Sequence, residues 1–268
     1  MFADNEIDII NYLHIFYSTQ LSKIALFPRE SKELISVVEK VCDSDNWKNW
    51  IESSGKSDPP PDFYSDEFML MMDIMRVNDH ERKGKKGKLH NPSMKHDKEL
   101  FRELQQSGIL AQNPNANVFI IGDTQLPTYE DHNYKLYLKC FQRVLSKHIE
   151  SIPLYKKNHP NHKVIFLVFD ELSAYIESKQ LINAKKQYRK GDEISGKPHF
   201  FFYDNVFMEA FKDKGIDYLF WYTPYKRFEC ITPSIELPEL CVYDLSKLSK
   251  KQLQSIQYDN TRMISAEI

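Results

Sequence analysis

The chain has 268 residues, of which 41% are hydrophobic and 28% are charged, and its net charge is −2. This is the composition of an ordinary globular protein with ample core, so it argues against a disordered chain and against a coiled coil. No apolar run approaches the roughly 20 residues of a membrane helix, and the acidic start MFADNEIDII is unlike a basic secretion signal. We therefore expect a cytoplasmic protein that does not bind membranes.

Glycine and cysteine usage argues against several familiar kinds of site. The eight glycines form neither GxGxxG nor GxxxxGK[ST], so we do not expect a P-loop or a standard dinucleotide-binding domain. GxSxG is absent, which argues against an α/β-hydrolase. The four cysteines are scattered without a CxxC pair, which favours reduced, buried thiols over a zinc ribbon.

The first segment is predicted to be helical over residues 5–53. Apolar residues recur every three or four positions up to Ile24, Pro28 ends this helix, and Ser31 suits the N-cap of a second one. The proline-rich stretch SSGKSDPPPD is typical of a stiff linker. The predicted division is a helical N-terminal segment at 1–52, a linker at 53–62 and an α/β domain at 63–268.

The next segment, EFMLMMDIMRVND at 67–79, fits either a helix or a buried strand. Asp73 lies inside it, and Arg76 would pair with that carboxylate if the segment were helical. The basic stretch HERKGKKGK follows, with Lys85 and Lys86 as candidate contacts to nucleic-acid phosphates.

From residue 118 onward, strand-like and helix-like segments alternate. The strand-like segments are 118–123, 164–170, 199–204, 216–222 and 239–244, and the helix-like ones are 133–152, 171–190 and 205–215. Such alternation predicts βαβ units. We therefore expect an α/β fold with a mostly parallel central sheet and helices on both faces, preceded by the N-terminal helical segment.

Several of these strands end in acids, most notably in KVIFLVFDELSAY at 163–175, where six apolar residues lead to Asp170 and Glu171. Asp123 and Asp244 end other strands, and in a parallel sheet such ends share one edge. Adjacent carboxylates repel unless a cation compensates them, so Asp170, Glu171 and Asp123 are predicted ligands of Mg²⁺ or Mn²⁺. The alternative is that these acids cap turns or helices, which we favour for Asp204.

The helix predicted at 133–149 carries four cations at steps of four residues, which places them on one face. They are Lys135, Lys139, Arg143 and Lys147. Such a basic face suits phosphate contacts with a nucleic acid, and it is equally typical of a solvated helix surface.

Three histidines are candidate site residues. His148 falls on the apolar side of the same helix, as either a core histidine or a general base, phosphate ligand or metal ligand. His159 and His162 stand in the loop HPNH before the strand at 164. Loop histidines at this spacing can bind a metal, but no third ligand of the zinc type stands near them in the sequence.

One short motif matches a known family. Pro61-Asp62 is followed by Glu81-Arg82-Lys83, which resembles the pattern of the PD-(D/E)XK nuclease superfamily. The resemblance implies a small α/β core and a metal-dependent phosphodiesterase, with Asp62 and Glu81 as Mg²⁺ ligands and Lys83 as the residue that positions water. Asp73 is an alternative second acid.

Two functions follow from these patterns. The first is a metal-dependent enzyme acting on phosphodiesters through Asp170 and Glu171 with Asp73 or Asp123, and with His148 as a further catalytic candidate. The second is a non-catalytic protein whose basic helix and loop bind a nucleic acid or an acidic protein. Carboxylates that converge on one cleft would favour the enzyme.

Overall fold

The computed structural model describes much of the chain, in several stretches. These are residues 5–53, 61–79, 82–83, 89–90, 99–100, 102–112, 133–179, 195–226, 236–248 and 256–266. Four residues singled out above, Glu81, Lys85, Lys86 and Asp123, lie outside them, as does the strand expected at 118–123. Among the described helices, none has both the length and the apolar character needed to span a bilayer.

The described α-helices begin and end much as the capping residues indicate. They are α1 (Glu6–Thr19), α2 (Lys32–Cys42), α3 (Ile109–Gln112), α4 (Tyr134–Asn158) and α5 (Asn205–Phe211). The Ser31 hydroxyl accepts the N–H of Leu34 at 3.3 Å, which confirms Ser31 as the N-cap of α2. Asp204 likewise accepts the N–H of Val206 at 2.9 Å, and this confirms the predicted cap of α5.

A seven-stranded sheet forms the centre of the fold. Its strands are β1 (Ile24–Phe27), β2 (Ile51–Glu52), β3 (Phe63–Ser65), β4 (Leu70–Val77), β7 (Lys163–Asp170), β10 (Tyr218–Tyr222) and β11 (Leu240–Asp244). They are arranged in the order β1-β11-β10-β7-β4-β3-β2. Two smaller sheets contain β5 (Arg82–Lys83) with β6 (Leu89–His90), and β8 (Tyr175–Ser178) with β9 (Gly196–Pro198) and β12 (Met263–Ser265).

The fold is α/β as predicted, but the central sheet is mixed, so the expectation of a mostly parallel sheet is only partly correct. Parallel pairs join β4 to β7, β7 to β10 and β1 to β11. The pairs β10–β11, β3–β4 and β2–β3 are antiparallel. A short turn joins the antiparallel strands β3 and β4, whereas the parallel step from β4 to β7 needs a crossover, which includes α4.

Alternate residues of the strands pack into two hydrophobic clusters. In β7, Phe166 and Val168 join one cluster with buried residues of α4 and α5. Ile165 and Leu167 join the other cluster with buried residues of α1 and α2. Every residue of β7 after Lys163 is buried, which explains why its sequence is apolar from Val164 to Phe169.

Residues 67–79, left open between helix and strand, contain strand β4. Three other segments differ from the sequence expectations. The segment at 171–190, expected to be helix-like, contains strand β8 in its described part. The helical prediction for 5–53 is wrong at β1 and β2, which pair with β11 and β3 and so place part of the 1–52 segment in the central sheet. The strand expected at 199–204 is instead a 3₁₀ helix at Phe201–Tyr203, in which Phe201 packs on Trp221 and Phe202 packs on Phe27.

Candidate active site

Asp73 and His148, both predicted as catalytic residues, meet between the sheet and α4. Asp73 lies in the middle of β4 and is 2% exposed, and its Oδ2 contacts Nδ1 of His148. The hydroxyl of Tyr155 donates to the same oxygen at 2.7 Å. His148 and Tyr155 are two helical turns apart, so α4 presents both side chains on one face.

A second carboxyl, that of Asp62, joins this group across the sheet. Phe63 of β3 pairs with Met72 of β4 in antiparallel register, so the next position places Asp62 opposite Asp73. The N–H of Ile74 donates to Asp62 Oδ2 at 2.7 Å. Burial and the neighbouring charge of Asp73 raise the pKa of Asp62 to about 8.

The group can therefore hold and transfer protons. The contact between Asp73 and Nδ1 fixes the ring orientation of His148, so that Nε2 is the nitrogen left for exchange with a substrate or water. The side chain of His148 is 17% exposed and that of Asp73 is 3% exposed. Two carboxyl groups that face each other are also a natural pair of oxygen ligands for a hard divalent cation.

Asp170, the residue at the end of β7, is fully buried and surrounded by donors. The phenol of Tyr137 donates to its Oδ2 at 2.8 Å, and the indole N–H of Trp221 does so at 2.9 Å. The ammonium of Lys226 lies 3.2 Å from the same oxygen and is itself only 2% exposed. The N–H of Leu172 donates to the other oxygen at 3.2 Å. The charge of Asp170 is thus compensated by the ammonium group of Lys226.

Glu171 has a different partner, because successive side chains of an extended segment point in opposite directions. Its carboxylate pairs with Arg76 of β4, and both side chains are about a quarter exposed, at 23% and 27%. Each of the two adjacent acids is therefore paired with its own cationic side chain, Asp170 with Lys226 and Glu171 with Arg76. Metal ligation by Asp170, Glu171 and Asp123 stays a prediction.

The expected convergence of Asp244 with Asp170 is wrong. Strand β11 runs antiparallel to β10, and Asp244 lies opposite Tyr218, at the edge where β10 begins. Asp170 lies at the edge where the parallel strand β7 ends. Asp244 instead accepts the N–H and hydroxyl of Ser246 and contacts Lys247, so it organises the turn after β11.

Asp204 does more than cap a helix. Its Oδ2 contacts His199 Nε2 at 2.7 Å and accepts the Tyr134 hydroxyl at 3.0 Å. His199 is 1% exposed, and burial lowers its pKa below the ordinary value despite this carboxylate. Sequence reasoning missed His199 and Lys226, since no spacing pattern links either residue to its partner.

The basic residues predicted on one face of α4 do lie on that helix. Lys135, Lys139, Arg143 and Lys147 are all exposed, while Tyr137, Phe141 and Val144 of the same helix are buried. The helix is therefore amphipathic, with a basic outer surface.

Within the short motif that resembles PD-(D/E)XK, Asp62 lies in the group described above. The backbone of Lys83 lies in β5, which pairs with β6. The chain matches no known protein-family model, no curated protein and no solved structure.

Proposed function

We propose that the protein is a metal-dependent phosphodiesterase acting on nucleic acid, with Asp62 and Asp73 as ligands of Mg²⁺ or Mn²⁺ and His148 as the general base. One observation carries this proposal: two carboxyl groups face each other across β3 and β4, beside an imidazole that contacts one of them. Asp73 is buried and Asp62 is partly buried. Two such carboxylates repel when both are ionised, and a divalent cation removes that penalty.

The roles of the side chains follow from their contacts. A bound cation would polarise a phosphate oxygen or water. Asp73 orients His148 through Nδ1, so that Nε2 accepts a proton from the attacking water. Tyr155 donates to Asp73 Oδ2, which keeps that carboxylate directed towards α4. Asp62 is held by the N–H of Ile74.

The resemblance to the PD-(D/E)XK pattern supports the same chemistry with one change of residue. Asp62 keeps the role of first acid, and we infer that Asp73, rather than Glu81, is the second, because the β3–β4 register places Asp73 opposite Asp62. The two hydrophobic clusters further support a sheet covered by helices on both faces.

Nuclease assays test the proposal directly. Purified protein should cleave labelled DNA or RNA in Mg²⁺ or Mn²⁺ and not in EDTA. Asp73→Asn, Asp62→Asn and His148→Gln should each lower the rate by about 10²–10⁴-fold, the usual contribution of a positioned acid or base. Folding of each variant is checked by circular dichroism.

Glu171→Gln is the matched control, because it removes a partly exposed carboxylate that was also predicted as a metal ligand. This variant should cleave at the wild-type rate. If Glu171→Gln abolished cleavage and Asp73→Asn retained it, the active site would lie at the end of β7 instead. If the wild-type protein cleaved neither DNA nor RNA in the presence of Mg²⁺ or Mn²⁺, the proposed enzymatic function would be refuted.

The alternative of a non-catalytic nucleic-acid-binding protein is favoured by one feature, the exposed basic face of α4. If this face contacts phosphates, the double variant Lys139→Ala/Arg143→Ala should weaken binding similarly for all sequences. It should also reduce the slope of log K against log salt by about 0.9 for each phosphate that the protein no longer neutralises. Lys212→Ala/Lys214→Ala, on an exposed turn elsewhere, is the control, measured by fluorescence anisotropy. Equal slopes for both variants would contradict this role.

A further inference from the structure

Two turns meet at the edge of the sheet where β4 and β7 begin. One is the β3–β4 turn, which contains Asp66, and the other is the α4–β7 turn, which contains His159 and His162. They are adjacent because β4 and β7 are parallel neighbours, with Leu70 paired to Lys163 and the N–H of Lys163 donating to Met69 O at 2.9 Å. The spacing of the two histidines is visible in the sequence, but the third residue comes from the other turn.

Each of the three side chains offers one ligand atom, and these atoms all lie within 4.8 Å of one another. The turns themselves are well defined: the N–H of His162 donates to His159 O at 3.2 Å, and the N–H of Phe68 donates to Ser65 Oγ at 3.2 Å. The ring of His159 packs on Tyr64, with centroids 4.3 Å apart. The two turns thus bring three candidate ligands together at one edge of the sheet.

The environment of His162 is an independent sign that a ligand belongs here. Its residue is 8% exposed, yet neither ring nitrogen makes an aligned hydrogen bond with any described residue. Nε2 lies 3.0 Å from Asp66 Oδ1, at ion-pair distance, but the two atoms do not form a hydrogen bond. Two ligand atoms bound tetrahedrally to one zinc ion at about 2.0–2.1 Å are about 3.3 Å apart, close to that separation. A buried ring nitrogen that makes no hydrogen bond is costly, and a cation shared with Asp66 would satisfy Nε2.

We propose that Asp66, His159 and His162 form a binding site for a divalent transition metal of the Zn²⁺ type. Two imidazole nitrogens and one carboxylate oxygen suit Zn²⁺ and related ions, whereas Mg²⁺ and Ca²⁺ prefer oxygen ligands alone. Three protein ligands leave a fourth position for water. The ion would tie the end of α4 to the β3–β4 turn, and so it would stabilise the fold.

This site is separate from the one formed by Asp62 and Asp73, and the two share no residue. Position 159 follows His148 by eleven residues, at the end of α4, which is about 16 Å along a helix axis. That distance far exceeds the roughly 4 Å between the ions of a two-metal catalytic centre. Each proposal can therefore fail without the other.

The test uses full-length protein without a polyhistidine tag, stripped with EDTA and dialysed. Titration calorimetry with ZnCl₂ should show one tight site, and a ZnCl₂ concentration 100-fold above Kd should raise Tm by on the order of 5 °C. CoCl₂ should give the visible absorption of tetrahedral Co²⁺. MgCl₂ at the same concentrations should produce neither effect at this site.

His159→Gln, His162→Gln and Asp66→Asn should each lower the Zn²⁺ affinity at least tenfold, while His148→Gln should retain it. Asp66 is 71% exposed, so Asp66→Asn will fold even if a change at the buried His162 does not. Absence of Zn²⁺ binding by the wild type, or wild-type affinity in Asp66→Asn, would overturn the proposal. Affinity abolished in His148→Gln but kept in His159→Gln would overturn it in favour of the Asp62–Asp73 group.

Discussion

Replacing Lys226 with methionine is expected to lower the free energy of unfolding by about 3–5 kcal/mol, the usual cost of breaking a buried ion pair. Asp170 is fully buried, and Lys226 lies 3.2 Å from its Oδ2. The variant would leave Asp170 with the neutral donors Tyr137 and Trp221 but without a cation. Asp170→Asn should be similarly destabilising, because it leaves the ammonium buried. Urea unfolding followed by circular dichroism measures both.

Destabilisation by Asp170→Asn would be the opposite of what the sequence alone predicts. Two adjacent carboxylates repel, so neutralising one of them would be expected to stabilise the protein. Glu171→Gln is the control and should change the stability by less than about 1 kcal/mol, because its pair with Arg76 is partly exposed. A change below about 1 kcal/mol in Lys226→Met would show that the ion pair is not formed in solution. If Asp170→Asn instead stabilised the protein, repulsion between the carboxylates of Asp170 and Glu171 would outweigh the ion pair with Lys226.

The free energy of unfolding should also fall as pH rises, because Asp62 loses its proton in the folded protein. Its pKa is about 8 in the folded protein and near 3.8 in the unfolded chain, so between these values the folded state binds the additional proton. The free energy of unfolding should therefore decrease by up to about 1.4 kcal/mol for each pH unit from about pH 4 to about pH 8, and this contribution should stay constant above about pH 8.

Asp62→Asn isolates this contribution, because asparagine still accepts the N–H of Ile74 but cannot ionise. The quantity to measure is the difference in unfolding free energy between wild type and variant at several pH values between about 5 and about 8. The difference is needed because buried His199, whose pKa is lowered, acts with the opposite sign below its ordinary pKa. A difference that does not vary with pH would show that Asp62 is ionised throughout.

The main elements of the fold could be predicted where local sequence determines them. Strand β7 follows from a continuous apolar run, α2 from the cap at Ser31, and α4 from a strongly amphipathic pattern. Strand direction is not encoded locally, which is why Asp244 was expected at the wrong edge. The aromatic run at 199–204 was misinterpreted because aromatic residues favour strands, yet here tertiary packing of Phe201 on Trp221 and of Phe202 on Phe27 accompanies a 3₁₀ helix.

The candidate site was only half predictable for a related reason. Asp73 and His148 stood out as polar residues on apolar faces, but only the β3–β4 register shows that Asp62 faces Asp73. Lys226 lies far along the chain from Asp170, and no periodic pattern spans such a distance. Pairings of this kind depend on tertiary packing, and a single sequence does not reveal them.

The pairing of β1 with β11 has a consequence for biosynthesis. Ile24 of β1 pairs with Leu240 of β11. Strand β1 therefore cannot pair with β11 until nearly the whole chain has been synthesised. At elongation rates of about 5–20 residues per second, that delay lasts roughly 10–40 s. During this interval the nascent chain exposes an unpaired edge on the ribosome, a state prone to aggregation and a natural substrate for chaperones.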